Sequence, residues 1–180
     1  MIDRIKKLFF EETLKRWRFD EIVKETKISR ERVNHFIKKL LKDGFVIRVK
    51  ERKKMPYYIA NRESQKFRFE KRLYGLRIIE DSGLFEHITT LKEVKTAILF
   101  GSFERGDFGK SSDVDLFIYG DSKDFNKKEF ERKLKRDIQL FSYNNPEKIK
   151  KSLDPKLIHN MINGFSIKGN LEPFEVIVGA

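Results

Sequence analysis

"AILFGSFERGDFGKSSDVDLFIYG", residues 97–120, decides how the second half of the chain is read. The apolar run ending at Phe100 reads as a short strand, Thr96–Phe100, and Gly101-Ser102 follows it at once. A glycine there lets a phosphate approach the backbone, while the Ser102 hydroxyl and the amides of the following helical turn can donate to that anion. After ten intervening residues Asp113 leads into a second strand, Val114–Tyr119. Its alternation puts Asp113 and Asp115 on one face and Val114, Leu116 and Ile118 on the other. Two carboxylates held that close repel each other unless a cation sits between them, and oxygen ligands with no His or Cys nearby favour Mg²⁺ or Mn²⁺.

The rest of the composition narrows the setting. The chain has 180 residues, 39% hydrophobic and 13% aromatic, which is enough for one ordinary domain or two small ones with real cores. Its formal net charge is +12, and nine of those charges fall in residues 1–61, so one end is built to meet a polyanion. The absence of cysteine excludes disulfides and thiolate metal sites. The opening MIDRIKKLFF lacks the apolar core of a signal peptide, and no apolar run approaches the roughly 20 residues of a membrane span, so a cytoplasmic protein is expected. "FGKSS" does not make a P-loop, because Glu104 stands where the first glycine would be needed. No Gly-x-Ser-x-Gly offers a serine-hydrolase site.

Within residues 1–61, Ile2, Ile5, Leu8 and Phe9 recur at helical spacing, and Phe19, Ile22 and Val23 mark a second short helix begun by Asp20. A third helix is expected after Ser29 as cap, with Ile28 and Val33 as a hydrophobic staple. Its apolar face is Val33, Phe36, Ile37, Leu40 and Leu41, and Gly44 ends it. The opposite face carries Arg30, Glu31, Asn34, His35 and Lys38, side chains suited to phosphates and major-groove base edges. "FVIRVKERKKMPYYIAN" then reads as strands Val46–Val49 and Tyr57–Ala60 around a basic tip that includes Arg52, Lys53 and Lys54. Three helices and a basic hairpin resemble a winged helix-turn-helix DNA-binding domain, which implies duplex DNA as partner and, by analogy with such regulators, a homodimer. A basic helical domain that docks on protein or RNA is the other reading of the same face. Residues 62–83 read as a connecting helix rather than a flexible linker.

The spacing Gly-Ser, ten residues, Asp-x-Asp between two short strands resembles the nucleotidyltransferase superfamily that includes DNA polymerase beta, and its minimal stand-alone members above all. Gly101-Ser102, Arg105-Gly106-Asp107 and Ser112-Asp113-Val114-Asp115-Leu116 stand in the order of that pattern, and the resemblance extends over about residues 84–180. It implies an α+β fold with a small mixed sheet covered by helices, and chemistry by divalent ions held on Asp113 and Asp115. Gly101, Ser102, Arg105 and Ser112 would bind the nucleotide. A third carboxylate on a neighbouring strand is implied too; in "KRDIQLFSY" Asp137 is the candidate, unless the register places Gln139 in that slot, where an amide can neither carry charge nor act as base. Trailing helices, a short strand at Phe165–Lys168 and, in "PFEVIV", an edge strand or a strand that pairs with another subunit complete the expectation.

The sequence thus predicts two domains, residues 1–61 and 84–180, joined by the connector 62–83. The implied activity is magnesium-dependent transfer of a nucleoside monophosphate, AMP from ATP, to a hydroxyl. Two alternatives remain open: a transcriptional regulator whose second domain only binds nucleotide, and an antitoxin-like protein adenylyltransferase.

Overall fold

A computed structural model describes residues 2–171, 173 and 174. The chain divides into two compact units, residues 1–71 and 72–180.

The first unit contains helices α1 (Ile2–Glu11), α2 (Phe19–Thr26) and α3 (Arg30–Lys42), and strands β1 (Val46–Val49) and β2 (Tyr57–Ala60). β1 and β2 pair antiparallel, Val46 opposite Ala60. Ile5, Phe9, Trp17, Ile22, Val33, Ile37, Leu40, Phe45 and Phe67 are buried, each apolar helix face turning inward as its spacing predicts. Gly44, at φ +66°, ends α3 in the left-handed region, and the amide of Phe45 donates to Leu40 O at 2.8 Å. Two starts differ from the sequence expectation. α2 begins at Phe19, not Asp20, and its first turn is closed by the Glu21 carboxylate, which accepts from the Arg18 amide at 2.7 Å. Ser29 does precede α3, but its side chain makes no capping hydrogen bond; the start rests on buried Ile28 and Val33. Trp17 adds an unforeseen short pairing to the hairpin, exchanging backbone hydrogen bonds with Tyr58 at 2.9 and 2.8 Å.

Helix α4 (Gln65–Asp81) carries the boundary between the units, Lys71 ending one and Arg72 opening the other. The connector is therefore divided between the two cores: Phe67 is buried in the first unit, Ile79 in the second.

The second unit runs α5 (Leu84–Thr90), β3 (Val94–Phe100), α6 (Gly101–Arg105), β4 (Val114–Gly120), α7 (Lys127–Leu134), β5 (Ile138–Tyr143), α8 (Pro146–Ser152), α9 (Pro155–Ile162) and β6 (Phe165–Lys168). The sheet has the order β5-β4-β3-β6. β3 pairs antiparallel with β4 and β6, whereas β4 and β5 run parallel, so the sheet is small and mixed. Both faces are buried, which is why the strands read as nearly unbroken apolar runs. Val114, Leu116, Ile118 and Ile138 pack against Ile79, Ile88, Phe103, Phe108 and Phe130 on one side. Ile98, Phe100, Phe117 and Tyr119 pack against Ile149, Ile158, Met161 and Phe174 on the other. Each fully buried phenylalanine of this set contributes on the order of 2 kcal/mol through burial.

Of the expected "PFEVIV" strand, Pro173 and Phe174 are helical, and Glu175 onward lies outside the described residues. No helix among the described residues is long and apolar enough to cross a membrane.

Candidate active site

The site is built where β3 ends and β4 begins. Phe100 and Asp115 are paired across the antiparallel ladder, so the turn at Gly101 lies directly against the Asp115 side chain. Gly101 has φ +75°, a left-handed conformation, and a Cβ built there would stand 1.9 Å from Asp115 Oδ2. Only glycine fits, for both reasons at once. The next backbone amide, that of Ser102, donates to the Asp115 carboxylate. The Ser102 amide expected to face an anion is thus already committed to Asp115, leaving the hydroxyl.

Asp115 is half-buried and Asp113 exposed. Burial pushes the Asp115 carboxyl above the usual carboxylate range and the Asp113 charge raises it further, while Arg105 and the Ser102 amide pull it down. The raised value makes ionisation of Asp115 a cost to the fold: its contribution to stability is lost as pH climbs toward the folded-state value. Two hard oxygen donors on one strand face, one held over a cradle that a Cβ would fill, suit Mg²⁺ or Mn²⁺. Among the described residues no three His, Asp or Glu side chains converge into a metal-binding group.

The parallel register of β4 and β5 bears on the third position. Asp115 stands opposite Gln139 and Val114 opposite Ile138. Asp137 precedes β5, and its carbonyl accepts from the Val114 amide at 2.9 Å, which puts Asp137 beside Asp113 instead. Phe141 and Tyr143 pack on the same core as Phe117 and Tyr119, so Gln139 shares the sheet face of Asp115. Gln139 and Asp137 are both exposed.

The loop 106–113, which delivers Asp113, is held by a residue that sequence reasoning did not single out for this task. Arg136 Nη1 donates to the carbonyls of Gly109 at 2.8 Å and Ser112 at 3.0 Å. Its guanidinium lies 5.0 Å over the Phe103 ring, which is itself stacked on Phe108 at 4.4 Å. The loop thus has a buried aromatic anchor below and a charged clamp above, the cation–π part worth about 1 kcal/mol. Ser112 turns inward, its Oγ accepting from the Gly109 amide at 2.8 Å. Arg105 Nε donates to Asp107 Oδ2 at 3.1 Å. Glu131 fixes the start of β5 by accepting from the Ile138 amide at 3.0 Å, which draws its carboxyl below the usual range.

In the first unit, Arg30, Asn34, His35 and Lys38 are all exposed along α3, opposite buried Val33, Ile37 and Leu40. Arg30 is paired with Asp20. Arg52, Lys53 and Lys54 are exposed between β1 and β2. Lys54 is paired with Glu51, so Lys50, Arg52 and Lys53 are the cations between the strands with no ion-pair partner among the described residues. Lys53 adopts φ +60°.

Residues 84–167 match the family model described as polymerase beta, nucleotidyltransferase. A relative from Methanocaldococcus jannaschii, named as a candidate protein adenylyltransferase, is 40% identical over 47 residues, covering 23% of this chain and 47% of its own. The chain thus spans about half the length of the curated relative it matches. No solved structure matches significantly. Residues 84–167 are thus similar to nucleotidyltransferase domains of polymerase-beta type, and both similarities support nucleotidyltransferase activity in general terms.

The contact between Gly101 and Asp115 is testable as a coupling. Gly101→Ala is expected to destabilise more in the wild-type background than in an Asp115→Ala background, by about 1–3 kcal/mol, because only the strain of the left-handed backbone persists in the second case. Urea unfolding of the four proteins measures this; equal costs in both backgrounds would remove the cradle from the account.

Proposed function

We propose that this chain is a DNA-binding protein whose second unit transfers a nucleoside monophosphate from a nucleoside triphosphate to an acceptor oxygen, releasing pyrophosphate. The observation that carries the reading is the Asp115 carboxylate lying over Gly101 with Asp113 one residue away. Gly101, the Ser102 hydroxyl, Arg105 and Ser112 would bind the triphosphate, and Asp113 and Asp115 would hold Mg²⁺ or Mn²⁺. A divalent ion bound there supplies charge neutralisation on the phosphates as the bond to the leaving group breaks. Asp115, fixed by the Ser102 amide, keeps its carboxylate in one orientation, and Arg136 keeps the Asp113 loop in place. Adenylyl is favoured over other nucleotidyl groups by the name of the Methanocaldococcus relative, which also supports a protein acceptor as an alternative.

The position of Gln139 opposite Asp115 favours a second reading: a regulator in which the domain binds nucleotide and turns over slowly or not at all. In both readings the exposed face of α3 lies in the major groove of duplex DNA and the basic tip tracks the backbone.

With α-labelled ATP and Mg²⁺, label is expected on an acceptor in a cell lysate and is expected to vanish in the Asp113→Asn/Asp115→Asn protein. Label persisting in that variant contradicts the assignment; nucleotide binding without any label selects the regulator reading. For the first unit, Arg52→Ala/Lys53→Ala/Lys54→Ala should weaken binding to all DNA sequences alike and lower the slope of log affinity against log salt by roughly 0.9 for each phosphate that is no longer neutralised. Asn34→Ala should instead change sequence preference. Unchanged salt dependence in the triple variant would argue against the tip.

A further inference from the structure

The two acidic residues of the site are placed by different means. Asp115 belongs to β4, where the ladder to Phe100 and the Ser102 amide fix it. Asp113 precedes the strand, so its place depends on how the loop 106–113 is held. Beside that loop lie two fully buried rings. Phe103 comes from α6, the helix that opens with Gly101 and Ser102, and Phe108 comes from the loop itself; their centroids are 4.4 Å apart and their planes 7° from parallel. The stack therefore ties the turn under Asp115 to the segment that delivers Asp113. Arg136 covers it, with its guanidinium 5.0 Å from the Phe103 ring and 6.0 Å from the Phe108 ring, while Nη1 donates to the Gly109 and Ser112 carbonyls.

Helix α4 touches the same two rings through a glycine. A Cβ built on Gly75 would stand 2.7 Å from Phe108 Cε1 and 3.3 Å from Phe103 Cδ1. Gly75 is helical and buried, a position where alanine is ordinarily the better helix former. Here a methyl has to displace a ring already held by Phe103 and by Tyr74, whose own ring stacks on Phe108 at 6.3 Å. All of these residues belong to the second unit.

We propose that Gly75, Phe103, Phe108 and Arg136 are positioning residues, which together hold Asp113 in one place relative to Asp115 and so make the pair selective for Mg²⁺ over larger divalent ions. This rests on the metal-binding reading given above. Mg²⁺ demands near-ideal octahedral geometry at about 2.0–2.1 Å, whereas Ca²⁺ accepts irregular shells at about 2.3–2.6 Å. A rigid pair suits the smaller ion, and a pair with play in it loses that advantage while still serving the larger one. Disturbing the ring stack therefore changes the ratio of the two affinities, whereas general damage to the fold lowers both alike.

The test uses the full chain without nucleotide and takes Mn²⁺ as the probe, its binding followed by electron paramagnetic resonance and reversed by Mg²⁺ or Ca²⁺. Binding should be lost in Asp113→Asn/Asp115→Asn, and in the wild-type protein Mg²⁺ should displace Mn²⁺ at lower concentration than Ca²⁺ does. Gly75→Ala should reduce that preference about five-fold or more, and so should Arg136→Lys, because an ammonium cannot span two carbonyls and cover a ring at once. Phe108→Leu in the Gly75→Ala background should restore it by making room for the methyl. Should Gly75→Ala fail to fold, Arg136→Lys decides alone. An unchanged preference, a loss equal for both ions, or Mn²⁺ binding that does not depend on Asp113 and Asp115 overturns the proposal. Calorimetric titration of ATP in Mg²⁺ separates this from the transfer reading. A preference that shifts as expected in a protein that binds no ATP upholds the positioning residues and refutes nucleotide transfer; ATP binding with the preference unmoved in the variants does the reverse.

Discussion

One contact organises the second unit: the Asp115 carboxylate occupies the space that a side chain at residue 101 would fill. The β3–β4 ladder sets Phe100 against Asp115, the left-handed Gly101 turns the chain beneath the carboxylate, and the Ser102 amide holds it. Everything around that contact serves its rigidity. Strands buried on both faces leave the ladder no freedom to slip, because a one-residue shift would carry Asp113 and Asp115 into the core that Val114 and Leu116 occupy. The cost is a half-buried carboxyl at Asp115 beside a second acidic side chain, a cost that a divalent cation would relieve.

The parts of this arrangement that depend on neighbours in sequence were legible beforehand. Alternation in Val114–Tyr119 gave the faces of Asp113 and Asp115, the period of Val33, Ile37 and Leu40 gave the buried side of α3, and the limits of β1, β2 and β6 fall where the apolar runs end. Parts set by contacts between distant segments were not. The choice between Asp137 and Gln139 depends on how β5 registers against β4, and packing of Ile138 and Leu140 into the core fixes that. Nothing local marks the role of Arg136; its partners, the carbonyls of residues 109 and 112, lie 27 and 24 residues away. Ser29 had the residue type of a cap without making the bond, since burial of Ile28 and Val33 already fixes the helix start. The connector was expected as one piece, yet Phe67 and Ile79 of the same helix are buried in different units.

The charge distribution gives the two units different tasks. The first exposes cations along α3 and at the β1–β2 tip, the face that the proposed function assigns to DNA. In the second, Lys127, Lys133, Arg105 and Arg72 are paired with carboxylates, and an acidic pair is left at the end of the sheet.

Calorimetric titration of ATP into the full chain, with and without Mg²⁺, addresses the central claim most directly. The account predicts saturable binding that requires the cation and is abolished by Asp115→Asn with the fold intact. Affinity that is the same in EDTA as in Mg²⁺, or no binding of any nucleoside triphosphate in either, would contradict it.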